Sequence, residues 1–283
     1  MKKANPELTE FVIRTARDAG AIALEGFRSS NLQIDTKRDF TDVVTRYDRA
    51  CETHIRAAIL ATYPDSSIVG EEQGETVGDG PLAWFIDPID GTANYARGIA
   101  LWAVSIGVAL DGEIVAGAVY DPVADQLFSA DDRGAFLEER GKKTPLRSQG
   151  ATDAARATVA TGFPARRDLV HHPDLALEQY ARITREFAQV RGLGSTCIAL
   201  CWIAAGWVDA TISFETSPWD VAAAAFILRR AGGVYLAYRD GEPLPERGDF
   251  IGSHYYGAVT GSRFETLLDI MRTQSRRPVA TAE

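Results

Sequence analysis

The apolar segment LAWFI at 82–86 runs directly into DPIDGT at 87–92, and this transition constrains the fold more than any other feature. The first segment is typical of a buried strand, whereas the proline and glycine of the second predict a tight turn. Open sheets bind ligands at strand ends of this kind. Asp87 and Asp90 would repel each other on one turn unless a cation lay between them. The sequence therefore predicts a cation site at the end of a strand.

Two more acidic positions have a related context. Glu71 lies in the cluster GEE at 70–72, and Asp220 directly precedes an apolar helical segment at 221–228. Magnesium is usually held by one or two carboxylates together with waters and a substrate phosphate, so these clusters fit a magnesium site. Taken singly, Asp90 and Asp220 are equally consistent with helix caps, and the glutamates with a solvated turn.

The DPIDGT segment also offers groups that suit a phosphate. Gly91 and Thr92 are predicted to begin a helix, whose free backbone N–H groups suit a phosphate oxygen, while the Thr92 hydroxyl could orient a water. The chain has no G-x-S-x-G, P-loop, dinucleotide-binding or H-E-x-x-H motif. Metal-assisted phosphate chemistry is the interpretation that remains.

Composition and charge limit the partners. At 283 residues and 46% hydrophobic content, the chain can bury a large core. Its net charge of -9 predicts that it binds neither nucleic acid nor anionic membranes. An acidic protein that acts on a phosphate must supply cations, which again favours bound metal.

The cysteines and the apolar runs predict a cytoplasmic protein. Three cysteines are too few for a disulfide framework. Cys197 and Cys201 are predicted to be buried core residues, because no second pair with ligand spacing accompanies them. The N-terminus lacks the apolar stretch of a secretory signal. The run at 198–208 is shorter than the roughly 18 residues that a membrane span needs.

Periodicity predicts an α+β half at 1–145, an α/β half at 146–275 and a loose tail at 276–283. The first half is predicted to contain amphipathic helices over 8–23 and 47–62, the second capped by Asp42. His54 is predicted to be a core or boundary histidine rather than a ligand. The elements expected in the rest of the chain are strands at 82–86, 104–110, 114–120, 126–129, 158–161, 209–213, 234–237 and 257–260, and helices near 174–189, 195–206, 219–231 and 261–273.

Three segments together resemble one known family. IVGEE at 68–72, WFIDPIDGTANY at 84–95 and PWDVAAAAFILRRAGG at 218–233 match, in order and spacing, the inositol monophosphatase family of lithium-sensitive, magnesium-dependent phosphatases. The resemblance covers essentially the whole chain. It implies the layered αβαβα sandwich of the inositol monophosphatase and fructose-1,6-bisphosphatase type, often as a homodimer.

The resemblance also implies a set of site residues. Glu71, Asp87 and the Ile89 carbonyl would hold one Mg²⁺, and Asp87, Asp90 and Asp220 a second, with a third, weaker ion near Glu71. Glu71 and the pair Thr92 and Asp48 would orient and deprotonate the attacking water. The residues expected to contact substrate are Asp90, Gly91, Thr92, Gly194, Ser195, Thr196, Ser213 and Glu215.

A covalent mechanism is disfavoured by the spacing of the aspartates. Aspartyl-phosphate phosphatases carry their nucleophile and acid two residues apart, whereas Asp87 and Asp90 are three apart. The family resemblance implies direct in-line attack by a metal-activated water on a small phosphate monoester, such as inositol 1-phosphate.

Substrate choice is less constrained by the sequence. Relatives that hydrolyse inositol phosphate carry a glutamate seven residues before the WD aspartate, where this chain has Ser213, and Glu215 follows two residues later. Histidinol phosphate, fructose 1,6-bisphosphate and 3'-phosphoadenosine nucleotides are alternative substrates in the family. Arg97 is either an anion contact or a surface charge, and Arg230 is expected to be a solvated surface charge rather than a dimer contact.

A hypothesis of a different class is a non-enzymatic interaction protein that keeps the fold. The complete set of expected metal ligands favours the enzyme.

Overall fold

The computed structural model describes residues 6–29, 32–36 and 43–277, and they form five alternating layers of helices and sheets. The first layer contains α1 (Pro6–Gly26) and α2 (Arg46–Thr62). A two-stranded ladder, β1 (Ile34–Thr36) with β2 (Val43–Thr45), precedes α2. The buried face of α1 includes Leu8, Phe11 and Val12, as its periodicity predicts.

The N-terminus of α2 differs from the sequence prediction. Asp42 lies outside the described residues, and the helix is capped by Thr45. Thr45 Oγ1 accepts a hydrogen bond from Tyr47 N at 3.1 Å, and Asp48 Oδ2 accepts one from Thr45 N at 2.8 Å. This reciprocal capping box begins the helix three residues after the predicted cap. The His54 side chain is half-buried on α2, which confirms the predicted boundary position.

An eight-stranded sheet forms the second layer, in the order β10-β9-β8-β7-β6-β5-β3-β4. In chain order its strands are β3 (Ser67–Gly70), β4 (Gly74–Thr76), β5 (Leu82–Asp90), β6 (Ala103–Leu110), β7 (Glu113–Asp121), β8 (Gln126–Asp131), β9 (Gly134–Glu139) and β10 (Lys142–Pro145). The predicted meander is confirmed and extended by β9 and β10. Sequence periodicity misses β10 because this edge strand is exposed and carries Lys142 and Lys143, charges that protect a free edge.

The strand that carries the aspartates is longer than predicted. β5 continues through Asp87 to Asp90, so both aspartates lie on the strand rather than on a turn after it. Asp87 pairs with Ser105 and Asp90 with Ala103, and the register shifts between them. Pro88 has no N–H to donate to a ladder, and an irregularity is where a strand tolerates proline. The short helix α3 (Thr92–Ala96) follows at once.

The rest of the chain supplies the other three layers. α4 (Arg166–His171), α5 (Pro173–Glu186), α6 (Thr196–Ala204), α7 (Pro218–Arg230) and α8 (Glu265–Gln274) are its helices. Its sheet has the order β12-β11-β13-β16-β14-β15. These strands are β11 (Thr158–Ala160), β12 (Gln189–Arg191), β13 (Ala210–Phe214), β14 (Val234–Arg239), β15 (Glu242–Pro243) and β16 (His254–Ala258).

Three apolar clusters occupy the spaces between layers. One lies between α1, α2 and the eight-stranded sheet, and another surrounds α6 and α7 between the two sheets. The third lies under α5 and α8 against the six-stranded sheet. This αβαβα order confirms the predicted fold class.

Cys197 and Cys201 are free and fully buried on α6, which confirms their assignment to the core. Among the described residues, every helix is too short or too polar to cross a membrane.

Candidate active site

The end of β5 collects the carboxylates that the sequence singled out. Asp87 and Asp90 are 2% and 7% exposed. Burial is the largest of the causes that raise the pKa of Asp87 well above its usual value. The nearby charges of Glu71, Asp90 and Asp220 raise it further. Asp87 Oδ1 also accepts a hydrogen bond from Ile89 N at 3.0 Å, which fixes the side chain on its own strand. The tertiary structure therefore brings Glu71, Asp87, Asp90 and Asp220 into one electrostatic cluster.

Asp90 links β5 to the start of α6. Its carboxylate accepts hydrogen bonds from Ser195 Oγ, from Thr196 N at 3.2 Å and from Cys197 N at 2.7 Å. Burial nonetheless raises the pKa of Asp90 to about 6, with these hydrogen bonds opposing the shift. Asp90 is thus a helix cap, as one interpretation of the sequence held. The helix it caps is α6, more than a hundred residues away, and not the adjacent α3.

Asp48 and Thr92 form the hydrogen-bonded pair that the resemblance implied. Thr92 Oγ1 lies 3.0 Å from Asp48 Oδ1 and 3.0 Å from Ile89 O, so its single proton has two alternative acceptors. Asp48 is fully buried, and its other oxygen accepts from Thr45 Oγ1 at 2.6 Å. Burial raises the pKa of Asp48 to about 6, although the hydrogen bonds from Thr45 and Thr92 oppose the rise. A carboxyl group in this range can exchange a proton near neutral pH.

Gly91 and Asn94 set the approach of α3 to the opposite loop. Gly91 has φ 97°, and a Cβ there would lie 2.9 Å from Leu101 O, so only glycine fits. Asn94 Nδ2 donates to Leu101 O at 2.7 Å and to Leu193 O at 2.8 Å, next to Gly194. Sequence reasoning missed Asn94, whose position beside DPIDGT was the available signal.

Asp220 caps α7 and adds its charge to the acidic cluster. It is the third residue of α7, and its Oδ2 accepts a hydrogen bond from Ser217 N at 2.7 Å. It is also one of the three charges that raise the pKa of Asp87. The buried Cys197 thiol donates to the Asp220 carbonyl at 3.1 Å, which ties α6 to the first turn of α7.

A cavity of about 160 Å³ opens beside Asp90. Its lining contains five of the residues predicted to contact substrate, namely Asp90, Gly194, Ser195, Thr196 and Ser213. Sequence reasoning missed Thr161, Thr211 and Tyr255, which also line it; they lie on or near β11, β13 and β16 and carried no motif. The space can hold a small ligand next to the acidic cluster.

The Glu215 carboxylate forms an ion pair with Arg167. Its carboxylate lies 2.9 Å from Arg167 Nη1, and its backbone N–H donates to His254 Nδ1 at 3.3 Å. The same arginine donates to Phe214 O at 2.7 Å. Ser213 thus lines the cavity, whereas Glu215 forms an ion pair with Arg167 at the end of β13.

The two arginines singled out in the sequence have different surroundings. Arg97 ends α3 and is exposed. The prediction that Arg230 is a solvated surface charge is wrong: it is half-buried, and its guanidinium donates to Asp131 O at 2.8 Å and Asp132 O at 2.7 Å. These bonds connect α7 to the turn between β8 and β9.

The donor chemistry of the cluster fits magnesium. Within residues 6–29, 32–36 and 43–277, no group of three or more His, Cys, Asp and Glu side chains is arranged so that it could hold a metal ion. Mg²⁺ does not require three such side chains at once, since it keeps several waters and takes one or two carboxylates plus a substrate phosphate. Crowded carboxylates with raised pKa values are what a divalent cation would relieve.

These raised pKa values make the stability of the metal-free protein depend on pH. Asp48 and Asp90 titrate at about 6 when folded, whereas unfolded aspartates titrate near 4. The folded state therefore binds more protons in this window, and its stability falls as pH rises through about 6. We expect denaturant unfolding in EDTA to show a loss on the order of 1 kcal/mol between about pH 5 and pH 7. Asp90→Asn should flatten this dependence, and an equal slope in that variant would contradict the assignment.

The fold and the acidic site define a layered α/β protein of the inositol monophosphatase type. The sequence model of the inositol monophosphatase family matches residues 4–272, and the chain therefore belongs to that family.

Two relatives from different bacteria are similar to most of this chain. The chain is 34% identical over 252 residues to a protein named Nus factor SuhB of Pasteurella multocida, covering 88% of this chain and 91% of that protein. It is 35% identical over 231 residues to the fructose-1,6-bisphosphatase/inositol-1-monophosphatase of Aquifex aeolicus, covering 80% and 83%.

Solved structures agree with the fold. Mycobacterium tuberculosis SuhB is 29% identical, with a TM-score of 0.77 over 98% of this chain and 100% of that one. The inositol monophosphatase of Anabaena is 28% identical, with a TM-score of 0.75 over 94% of each chain.

Proposed function

We propose that this protein hydrolyses a small phosphate monoester in a Mg²⁺-dependent reaction, by in-line attack of water. The observation that carries the proposal is the cluster of Glu71, Asp87, Asp90 and Asp220 beside the Asp48–Thr92 pair, next to a cavity of about 160 Å³. Asp87, Asp90, Glu71, Asp220 and the Ile89 carbonyl are the proposed ligands of two or three ions. The name of the Aquifex relative supports the same activity.

The proposed reaction divides tasks among the residues of the site. Bound Mg²⁺ would activate a water and offset charge on the leaving oxygen. Thr92 Oγ1 would donate to one of its two acceptors and keep lone pairs to orient that water. The one proton that the water loses would pass to Glu71 or, through Thr92, to Asp48, and would be returned to the leaving oxygen. Backbone N–H groups of Gly91 and Thr92 at the start of α3 would hold a phosphate oxygen. Gly194, Ser195 and Thr196 would surround the leaving group.

A substrate panel tests the proposal. Purified protein with magnesium should release phosphate from at least one of inositol 1-phosphate, histidinol phosphate, fructose 1,6-bisphosphate and 3'-phosphoadenosine 5'-phosphate. Lithium should suppress the release, and size-exclusion chromatography should find the homodimer that the family resemblance implies. Folded protein that binds Mg²⁺ but hydrolyses none of the four would count against the proposal.

A second candidate is a binding role without catalysis. The name Nus factor SuhB, carried by a relative that is 34% identical, is the observation that favours it. The candidates separate in a functional complementation assay: Asp90→Asn should leave a binding role intact and should abolish a catalytic one.

Ser213 is the proposed determinant of leaving-group preference. It lines the cavity at the position where inositol-hydrolysing relatives carry glutamate. We expect Ser213→Glu to raise kcat/KM for inositol 1-phosphate, relative to the best substrate of the panel, by about tenfold, because a charged acceptor for sugar hydroxyls is worth about 1.5–3 kcal/mol. Ser213→Gln, which has the same length without the charge, should raise it less. An unchanged ratio in both variants would rule out this role.

A further inference from the structure

We propose that Glu52 and Arg56, a buried ion pair on α2, position the turn that carries Glu71 and thereby set the affinity of the site for Mg²⁺. This inference rests on the proposed function for the identity of the ion. Neither residue belongs to the acidic cluster, and neither was singled out in the sequence. Their role follows from what their charged groups contact.

The pair is almost fully removed from water. The Glu52 side chain is 0% exposed and the Arg56 side chain 9%, and Arg56 Nε donates to Glu52 Oε1 at 2.7 Å. Burying two charges costs free energy that their mutual attraction only partly returns. A helix could cover this sheet with apolar residues instead, so the pair calls for an explanation beyond packing.

Both carboxylate oxygens of Glu52 bind the backbone of the turn after β3. Glu52 Oε2 accepts from Glu72 N at 2.7 Å, and Oε1 accepts from Gln73 N at 3.1 Å. The Glu52 carboxylate also occupies the space where a side chain at Gly70 would lie. The residues on both sides of Glu71 are therefore fixed against one buried carboxylate.

Arg56 holds the far side of the same turn. Its Nη2 donates to Gly74 O, and its Nη1 donates to Thr76 Oγ1 at 3.1 Å on β4. Together, the two side chains bind residues 72, 73, 74 and 76. The start of the turn is fixed by the sheet, because Glu71 N donates to Ile86 O at 3.2 Å on β5.

The position of Glu71 matters because it is one of the proposed Mg²⁺ ligands. Gly70, the residue before it, pairs with Ile86 on β5, the residue before Asp87. Displacing the turn would move this carboxylate relative to Asp87. Outer residues that orient metal ligands commonly change metal affinity by about 10–100-fold when substituted. Glu52 and Arg56 are thus positioning residues.

The test is direct titration of Mg²⁺ alone by isothermal calorimetry, without substrate. Glu52→Gln keeps one acceptor oxygen but places an amide N–H₂ against a backbone donor, and we expect about tenfold weaker Mg²⁺ binding. The charge-matched control is Asp269→Asn, which breaks the exposed pair with Arg182 at 2.8 Å between α5 and α8 and should leave the affinity unchanged. Wild-type affinity in folded Glu52→Gln would overturn the inference.

A second variant tests the same inference if Glu52→Gln fails to fold. Glu52→Gln/Arg56→Met removes both buried charges together, which avoids leaving either unpaired. It should fold, as thermal unfolding in EDTA will show, and still bind Mg²⁺ about tenfold more weakly. Full affinity in the double variant would overturn the inference as well. A wild type that binds Mg²⁺ without hydrolysing any substrate would defeat only the proposed function, since the affinity comparison does not depend on turnover.

Discussion

Asp90→Asn is expected to reduce kcat/KM for the best phosphate monoester by about 10³-fold or more while the protein remains folded. The substitution keeps the shape of the side chain and removes the charge that would hold Mg²⁺. It also weakens the acceptor for Cys197 N and Ser195 Oγ, so the start of α6 would shift beside the substrate cavity. Steady-state kinetics, together with circular dichroism and thermal unfolding, measure both effects.

Asp121→Asn is the matched control. Asp121 is also buried, at 6% exposure, and its Oδ1 accepts from Val123 N at 2.9 Å and Ala124 N at 3.0 Å. This variant should remain folded and keep its kcat/KM. Activity of Asp90→Asn within about tenfold of wild type would show that Asp90 acts only as the cap of α6.

Asp87→Asn is expected to stabilise the magnesium-free protein and to remove the stabilisation that Mg²⁺ gives to the wild type. Asp87 is buried beside Glu71, Asp90 and Asp220, and an uncharged amide relieves that repulsion. In EDTA at neutral pH, a gain of about 1 kcal/mol would raise the Tm by about 2–4 °C. Wild-type protein at Mg²⁺ about 100-fold above its Kd should gain about 2.7 kcal/mol, and the variant much less.

The contrasting variant is Asp131→Asn. This aspartate is equally buried but accepts from Arg133 N at 2.8 Å and Arg133 Nε at 2.9 Å, so its charge is matched. Thermal unfolding with and without Mg²⁺ should find a lower Tm and an unchanged response to the ion. If Asp87→Asn were destabilised in EDTA as Asp131→Asn is, the electrostatic account of the cluster would be wrong.

The sequence determined the class of fold because its periodicities and its motifs agree. The amphipathic spacing of α1 and the apolar strand that ends in DPIDGT each reflect local burial, which neighbouring residues encode. The order of the acidic motifs carried the family resemblance. Sequence patterns did not predict the capping residue of α2 or the strand β10, because a capping box depends on backbone geometry and an edge strand needs no apolar face.

The tertiary structure decided how the acidic residues are used. Asp90 caps α6 from a distant strand, and Glu215 binds Arg167, which are contacts between segments that no local pattern connects. In the sequence, Glu52 is an ordinary polar residue of an amphipathic helix. In the structure, the packing of α2 places it against the turn after β3. The sequence by itself determined which residues we propose as cation ligands. Only the packing of distant segments decided which of these residues meet and what holds them in place, because such contacts depend on the whole fold.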